Sequence, residues 1–423
     1  MRIRLMQLID FWIGVPLCAL LSMWNSVWTL FNPPAPIAPK KMLFIELSEM
    51  GSAILAHSAL MRATELADAP PYFLIFRRNR ESCEVLKLLP QEQILVINDG
   101  SFTEFTISAC KTLLKIRKMN FDTVLDLELF SRFTAVFSYL TGATNRVGFH
   151  RHTGEGLFRG NFLTRRVNYN THQHMALNFL ALVGSLGAPL DEIPLLKQDV
   201  RRHLVELPRH APTPDARQAV LEILKSANSR IDARSSLLLF NPDPGDQLPI
   251  RGWPEERFAD VARQLLDLYP HSYAVVIGLG RSRPFAERLV RIVGQHRCAD
   301  LTGRTTGLDQ VLTLCTLSKI LITNDSGPAH LAALTQLQSV VLFGPETPAL
   351  YGPLGGRSIS LFSGYSCSPC LSAANHRHTW CRDNKCLQAI SVAEVVAAAR
   401  ESLRRAGLEG EADARATVLP VLR

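Results

Sequence analysis

The sequence of 423 residues contains no long block of lysine and arginine, no recognition-helix signature and no aromatic RNA-binding motif. These absences exclude the common nucleic-acid-binding modules, so we expect no nucleic-acid partner. Charged residues make up only 20% of the chain and hydrophobic residues 47%, a composition that excludes disorder of the whole chain. The formal net charge of +8 favours anionic partners, such as phosphorylated substrates or acidic lipid surfaces.

Charge is absent from residues 11–31, FWIGVPLCALLSMWNSVWTLF, which as a helix would span roughly 30 Å, about one bilayer core. The segment therefore predicts membrane association. Pro16, Asn25 and three tryptophans leave two forms open, a spanning helix and a kinked or interfacial segment. A cleaved signal peptide is a further alternative, although Asp10 interrupts the usual order of such peptides. The proline-rich stretch 32–39 suits an extended spacer.

Short apolar runs alternate with amphipathic stretches through the rest of the chain, which predicts strands and helices in two successive series. The predicted strands are 42–47, 72–76, 94–98, 123–127, 146–149, 236–241, 273–278, 320–325 and 339–343. This rhythm indicates an α/β fold with two facing Rossmann-like domains, in which ligands bind at the carboxyl ends of parallel strands. The predicted organisation is a membrane-associated segment with linker at 1–40, a first domain at 41–208, a second domain at 209–410 and a tail at 411–423.

One strand-to-helix corner, TNDSGP at residues 323–328, has the features of an anion site. Gly327 permits close backbone approach, and Pro328 suits the first turn of the helix that follows. Backbone N–H groups at such a corner can bind phosphate. An ordinary turn with Asn and Asp as turn formers is the alternative interpretation.

The stretch TNDSGPAHLAAL, followed by VVLFGPETP, resembles the signature of the heptosyltransferase family, glycosyltransferase family 9. Three further stretches fit the same pattern in order: LFIELSEMGSAILAHSALMRA (43–63), FDTVLDLELFSRFTAVFSYLTGATNRVGFH (121–150) and FNPDPGDQLPIRGWPEERFADVARQLL (240–266). The resemblance implies a GT-B architecture, with the acceptor bound mainly by the first domain and the nucleotide sugar by the second. It also implies inverting sugar transfer that requires no cofactor for catalysis.

The sequence predicts a donor-binding set in the second domain, and matching positions of the family imply the roles of Arg251 and of the corner 326–329 within it. Its members are Asn241, Arg251, Asn324, Asp325, Ser326, Gly327, Pro328, Ala329 and His330. The corner 326–329 would hold the diphosphate, Arg251 would face the phosphates, and Asp325 would orient the loop or meet sugar hydroxyls. Two alternatives remain open, because Arg251 also fits an exposed surface position and His330 also fits a helix-packing position.

The sequence departs from the family at Gly51-Ser52 on the acceptor side, where typical members carry Gly-Asp and the Asp is the usual catalytic base. A serine hydroxyl does not serve as a general base unaided at neutral pH. The acids nearby are Glu46, Glu49, Asp126 and Glu128, of which we favour Glu49 first and Glu128 second as catalytic residues. The alternative role for Glu49 is to cap the following helix.

Four of the nine cysteines lie in the loop 366–387, namely Cys367, Cys370, Cys381 and Cys386. Their spacing suits a tetrahedral thiolate set for a structural zinc ion, with His376 and His378 as possible substitute ligands. Free thiols and disulfides are the alternatives.

The sequence thus predicts a bacterial glycosyltransferase at the cytoplasmic face of the inner membrane, which moves a sugar onto lipopolysaccharide core or another lipid-linked glycan. Heptose from ADP-heptose is the donor that we favour. Its expected partners are a nucleotide-sugar donor, a lipid-linked acceptor and a membrane surface. Because Ser52 replaces the family's base, a second hypothesis is a catalytically weak or silent relative that binds nucleotide sugar or scaffolds a membrane assembly. A nucleotide-sugar epimerase with the same double Rossmann pattern is the third.

Overall fold

A computed structural model describes residues 3–33, 35, 37–151, 156–192, 196–245 and 248–407. The chain divides into two compact units, of which the first comprises Met1–Glu206 and Leu371–Thr379 and the second comprises Leu207–Cys370 and Trp380–Arg423. A segment of the predicted second domain therefore belongs to the first unit. The predicted tail, 411–423, lies outside the described residues.

The first unit contains a parallel sheet with helices on its faces. Its described strands are β1 (Met42–Ile45), β2 (Tyr72–Phe76), β3 (Ile94–Ile97), β4 (Thr123–Asp126), β5 (Asn145–His150) and β6 (Arg165–Asn168). Its described helices are α1 (Ile3–Trp12), α2 (Gly14–Phe31), α3 (Met50–Leu55), α4 (His57–Ala67), α5 (Glu81–Glu84), α6 (Phe102–Met119), α7 (Arg132–Leu140) and α8 (Met175–Gly184). The strands lie in the order β3-β2-β1-β4-β5-β6.

The second unit is built in the same way. Its described strands are β7 (Ser236–Asn241), β8 (Ser272–Val276), β9 (Cys298–Asp300), β10 (Ser318–Asn324), β11 (Gln338–Phe343) and β12 (Ser358–Phe362). Its described helices are α9 (Pro214–Ala227), α10 (Glu255–Leu268), α11 (Arg283–Val293), α12 (Leu308–Leu317), α13 (Gly327–Ala332), α14 (Pro348–Tyr351), α15 (Lys385–Gln388) and α16 (Val392–Arg405). The strands lie in the order β12-β11-β10-β7-β8-β9.

The central strands are covered on both faces, which explains why they read as continuous apolar runs. Every residue of β1 and of β11 is buried. The α/β fold predicted from the alternating pattern is confirmed. Strands β6, β9 and β12 were not predicted, because β6 carries two arginines, β9 has only three residues, and β12 is a half-buried edge strand.

The two sheets share one topology, because the second order read from β9 matches the first order read from β3. In each sheet successive strands are added first on one side of the starting strand and then on the other. The change of side falls between two adjacent parallel strands, β1 with β4 and β7 with β10, and we call each of these places a switch point. Ligands of doubly wound folds bind at the carboxyl ends of such strand pairs. These two switch points are therefore where functional side chains are expected.

Candidate functional site

The switch point of the first unit is organised by Glu128. This side chain follows β4, and its Oε1 accepts hydrogen bonds from the backbone N–H groups of Leu47 (2.9 Å) and Ser48 (3.0 Å), just after β1. Its Oε2 accepts a further bond from the Ser48 hydroxyl at 3.3 Å. Burial raises the pKa of Glu128, and these hydrogen bonds oppose that shift. Glu128 thus holds the loop after β1 with both carboxylate oxygens.

Asp126 lies at the end of β4 and is fully buried. It forms an ion pair with Arg159, whose side chain is 1% exposed. Burial raises the pKa of Asp126, and the guanidinium of Arg159 opposes that shift. The carboxylate of Asp126 is closed to solvent and holds Arg159 in this structure; its catalytic role stays a prediction.

Glu49 is an accessible carboxylate at this switch point, with a side chain that is 25% exposed; Glu128 is also partly exposed. It occupies the N-cap position of α3, but its side chain makes no capping hydrogen bond. Its Oε2 instead accepts a hydrogen bond from the Ser52 hydroxyl at 3.1 Å, and its Oε1 forms an ion pair with Arg377. Ser52 and Gly51, both in the first turn of α3, therefore lie beside the acid that was favoured as the base.

Arg377 was not among the predicted site residues. It lies in the segment 371–379, which the tertiary structure assigns to the first unit. Burial lowers the pKa of Arg377 to about 10, and the nearby carboxylate of Glu46 opposes that shift. Glu46 is itself 3% exposed, and its pKa is raised, first by burial and next by Glu128. Nothing in the local pattern around Arg377 links it to strand β1, so sequence reasoning had no signal for this contact.

The switch point of the second unit is a network of amides and hydroxyls. The Asn241 amide, at the end of β7, donates to the hydroxyls of Thr323 (3.1 Å) and Ser326 (3.2 Å). The Asn324 amide donates to the Pro242 carbonyl at 2.6 Å. The side-chain carbonyl of Asn324 accepts from the backbone N–H of Trp253 at 2.9 Å. Asn241 and Asn324 were predicted to bind the donor; the structure places them where they fix the loops around the corner.

The charged residues at this corner are Arg251, Asp325 and Glu346. Arg251 Nη1 donates to Asp325 Oδ2 at 3.2 Å, and the two side chains are 16% and 6% exposed. Burial raises the pKa of Asp325, and Arg251 opposes that shift. The alternative of a freely exposed Arg251 is therefore not what the structure contains.

Glu346 was missed as a site residue, although it stands in the motif GPETP that carried part of the resemblance. It is 2% exposed. Burial, helped by Asp325 and opposed by Arg251, raises its pKa to about 8. Glu346 is therefore mostly protonated at neutral pH, which leaves Arg251 and Asp325 as the charged pair of this corner.

The corner itself begins α13, with Ser326 in extended backbone at the N-cap and Pro328 in the first turn. Gly327 and Pro328 are half-buried, and Ala329 and His330 are buried. Pro328 has no N–H, and the Ala329 N–H donates to the Ser326 carbonyl at 3.1 Å. The early N–H groups of a helix commonly lack an intrahelical partner, so Ser326 and Gly327 carry the donors that this turn can present beside the Arg251–Asp325 pair. The corner brings together the residues that were predicted to bind the donor.

The four clustered cysteines form no disulfide within the described part of the chain. Cys386 is buried in α15, whereas Cys367 and Cys381 are exposed, and the Cys381 thiol donates to the Asp383 carbonyl at 3.2 Å. Within the described part of the chain, no three His, Cys, Asp or Glu side chains are grouped to hold a metal ion. Burial raises the pKa of the Cys386 thiol, and the nearby Cys370, Cys367 and Cys381 add to that shift. The structural zinc site stays a prediction.

Comparison with known proteins places these features in a family. Lipopolysaccharide heptosyltransferase 2 of Escherichia coli is 33% identical over 129 residues, which are 29% of this chain and 36% of that relative. The matched stretch thus spans about a third of the relative's length. The structure of Escherichia coli ADP-heptose lps heptosyltransferase II superposes with a TM-score of 0.64 at 18% identity, covering 86% of this chain and 99% of that one. A glycosyl transferase family 9 structure from Veillonella parvula gives 0.65 at 21% identity, covering 88% and 99%.

Those two structural likenesses show the fold. The family follows from a sequence model, glycosyltransferase family 9 (heptosyltransferase), which matches residues 110–380. The match covers more than half of the chain and includes both β4 with Glu128 and the corner at 323–330. The chain belongs to glycosyltransferase family 9 (heptosyltransferase).

Proposed function

We propose that this protein is an inverting glycosyltransferase that moves a heptose from ADP-heptose onto lipopolysaccharide core or another lipid-linked glycan, at the cytoplasmic face of the inner membrane. The observation that carries the proposal is Glu49, an accessible carboxylate at the switch point of a family 9 chain whose expected base is replaced by Ser52. The names of the relatives, which include lipopolysaccharide heptosyltransferases and an ADP-heptose enzyme, support the choice of donor and acceptor.

The second unit is the part suited to the donor. Its switch point presents neutral amides and hydroxyls, one Arg–Asp pair and a carboxyl group with a raised pKa. A diphosphate meets little repulsion in such a site. The N–H groups of Ser326 and Gly327 and the guanidinium of Arg251 would stabilise the charge that develops on the departing ADP. Asp325 would hold Arg251 in place for that contact.

The first unit is the part suited to the acceptor. Glu49 would take the proton from the acceptor hydroxyl, and the freed oxygen would attack the anomeric carbon of the heptose. As the new carbon–oxygen bond forms, the bond from that carbon to the phosphate oxygen breaks, and its electron pair leaves with ADP. Attack on the face opposite the leaving group inverts the configuration. Arg377, paired with Glu49, would favour the ionised carboxylate before the transfer.

The test is Glu49→Gln, assayed with ADP-heptose and core-truncated lipopolysaccharide. We expect the transfer rate to fall by at least about a hundredfold, the usual contribution of a general base, while the ADP dissociation constant measured by calorimetry stays unchanged. Glu92→Gln, which alters an exposed glutamate before β3, is the matched control and should transfer normally. Full transfer by Glu49→Gln would refute the assignment of Glu49.

The second hypothesis is a relative that binds nucleotide sugar without transferring it, and the serine at position 52 is the observation that favours it. ADP-heptose binding by the wild type, with no transfer to acceptors of several core lengths and no loss of binding in Glu49→Gln, would support this hypothesis. Transfer by the wild type would eliminate it.

A further inference from the structure

The N-terminal helices α1 and α2, which we call the arm, are attached to the first unit by a stripe of small and polar residues. Its described members recur at helical spacing: Asp10, Gly14, Cys18, Ser22 and Asn25. Residues three and four apart lie on one face of a helix, so these side chains point the same way. Leu21 adds an apolar contact beside the stripe, because it packs partly buried against the cluster that contains Cys18.

Asp10 provides the strongest attachment. Its carboxylate accepts hydrogen bonds from the backbone N–H groups of Arg132 (3.0 Å) and Phe133 (3.1 Å) at the start of α7. It also pairs with Arg132 Nη1 at 2.9 Å. The Arg132 side chain is 4% exposed, so its charge depends on Asp10 for compensation. The other end of the guanidinium donates to the Phe158 carbonyl at 2.8 Å.

The rest of the stripe continues this contact along α2. A Cβ atom on Gly14 would lie 2.9 Å from Arg132 Cβ, so glycine is required for the helices to approach this closely. Cys18 is fully buried against the first unit. The Ser22 hydroxyl accepts from the Asn161 N–H at 2.7 Å, and the Asn25 amide donates to the Asn161 carbonyl at 3.3 Å.

The remaining surface of the arm is apolar and faces outward. Trp12, Trp24 and Trp28 are 70%, 63% and 54% exposed. Other exposed apolar side chains of the arm are Leu8, Phe11, Ile13, Leu17, Leu20, Met23, Val27, Leu30 and Phe31. A surface helix of a soluble protein buries its apolar face and exposes its polar one; the arm does the reverse. A patch of this extent marks a binding surface.

We propose that this surface binds an acidic lipid bilayer, with the arm lying in the plane of the membrane as an interfacial anchor rather than crossing it. The arm contains the one stretch of the described chain long and apolar enough to span, Leu8–Phe31. Spanning would require Asp10, Ser22 and Asn25 to leave their partners, and Arg132 would remain buried without its counter-ion, which is strongly unfavourable. Exposed tryptophans along the arm suit the headgroup region of a bilayer.

Helix α6 adds the charge that selects an acidic surface. It lies beside α7, since the ring centroids of Phe105 and Phe133 are 5.0 Å apart. Its exposed apolar side chains, Phe102, Ile107 and Leu114, alternate with exposed lysines at 111, 115 and 118. Apolar residues interleaved with lysines favour anionic headgroups. This inference does not depend on which sugar the protein transfers.

The first experiment measures flotation of the full chain with vesicles of phosphatidylethanolamine and phosphatidylglycerol. We expect the vesicle-bound fraction to fall at least about tenfold in the triple variant Trp12→Ser, Trp24→Ser, Trp28→Ser, because three large apolar contacts are lost. Trp380→Ser is the matched control, since Trp380 is 88% exposed but lies outside the arm; it should float like the wild type. Replacing phosphatidylglycerol by phosphatidylcholine should weaken binding of the wild type.

The second experiment distinguishes an in-plane arm from a spanning one by fluorescence quenching with lipids brominated at different depths. One variant keeps Trp12 and the buried Trp253; the other carries Leu20→Trp with Trp253, and the remaining tryptophans become phenylalanine. Leu20 is 60% exposed, near the middle of the apolar segment. In-plane attachment predicts the same shallow depth for both probes. In a spanning helix the probe at position 20 lies about 12 Å deeper.

Three outcomes would overturn the proposal. The triple variant could float as well as the wild type, or the probe at position 20 could be quenched best by bromines at the chain ends. The third is a wild type that fails to float and forms a dimer that the triple variant does not form, which would assign the surface to a second copy of the chain.

Discussion

The two switch points occupy the same position in sheets of the same topology, yet they carry opposite chemistry. Between β1 and β4 the chain gathers acids, Glu46, Glu49, Asp126 and Glu128, against two arginines. Between β7 and β10 the same backbone geometry carries amides and hydroxyls, one Arg–Asp pair and Glu346. The backbone geometry of the two switch points is therefore the same, and the side chains that follow each strand determine how their chemistry differs.

The largest effect is expected from removing the cation that compensates Asp126. Arg159→Met leaves a fully buried carboxylate without its partner, which should lower the free energy of unfolding by about 3–5 kcal/mol. The measurement is urea unfolding of the purified protein. The double variant Asp126→Asn, Arg159→Met should recover most of the loss. If Arg159→Met alone unfolds like the wild type, this acid is not held as an ion pair.

The protonated carboxyl group of Glu346 at the second switch point should make the stability of the protein depend on pH. The pKa of Glu346 is about 8 in the folded chain, above the value of about 4.3 for an unperturbed glutamate. Its contribution to stability is therefore complete below about pH 4 and is lost as the pH rises through 8. Glu346→Gln removes this dependence, so wild-type stability relative to the variant should fall by up to about 4 kcal/mol between pH 5 and 8.

Thermal unfolding of both proteins across that pH range provides the measurement. Glu256→Gln, which changes an exposed glutamate in α10, is the control and should follow the wild-type curve. Parallel curves for the wild type and Glu346→Gln would mean that Glu346 is ionised at neutral pH, and the contrast between the two switch points would weaken.

Arg377 is expected to set the protonation of the first switch point. Arg377→Gln removes a cation from beside Glu49 and Glu46, and carboxylates that lose such a neighbour titrate about one pH unit higher or more. The acidic limb of the transfer rate should therefore move to higher pH. Arg377→Lys retains the charge and should restore most of the profile. An unmoved acidic limb in Arg377→Gln would show that Arg377 has only a structural role.

The smallest effect concerns the serine that replaces the family's aspartate. Ser52→Ala removes one hydrogen bond to Glu49, of 3.1 Å, worth about 0.5–1.5 kcal/mol. The transfer rate should fall less than about tenfold, far less than in Glu49→Gln. A loss as large as that of Glu49→Gln would mean that the base acts only through the Ser52 hydroxyl.

Much of the fold could be predicted because a strand that is buried on both faces has a continuous run of apolar residues, which is visible in the sequence. Strands such as β1 and β11 are continuous apolar runs between helical stretches, so their existence follows from the sequence. The apolar pattern of edge strands is weaker, and β6, which contains two arginines, was not predicted. The corner at Gly327 was likewise predicted, because Gly and Pro at a strand-to-helix junction constrain the backbone locally.

The partners of the site residues could not be predicted. Asn241 and Asn324 were assigned to the donor from their positions alone, and only the structure placed their amides on Thr323, Ser326, Pro242 and Trp253. A sequence does not show which group a side-chain amide will bind, because any nearby donor or acceptor can form its hydrogen bonds.

The sequence by itself determined the alternation of strands and helices, the family corner, the acids after β1 and β4, and the charge-free arm. The tertiary structure alone decided that Arg377 belongs with Glu49 and that the arm turns its small polar stripe inward. The physical reason is the distance along the chain over which each interaction acts. Periodicity and turn chemistry act between residues a few positions apart, whereas ion pairs and burial depend on contacts between segments that are far apart in the chain.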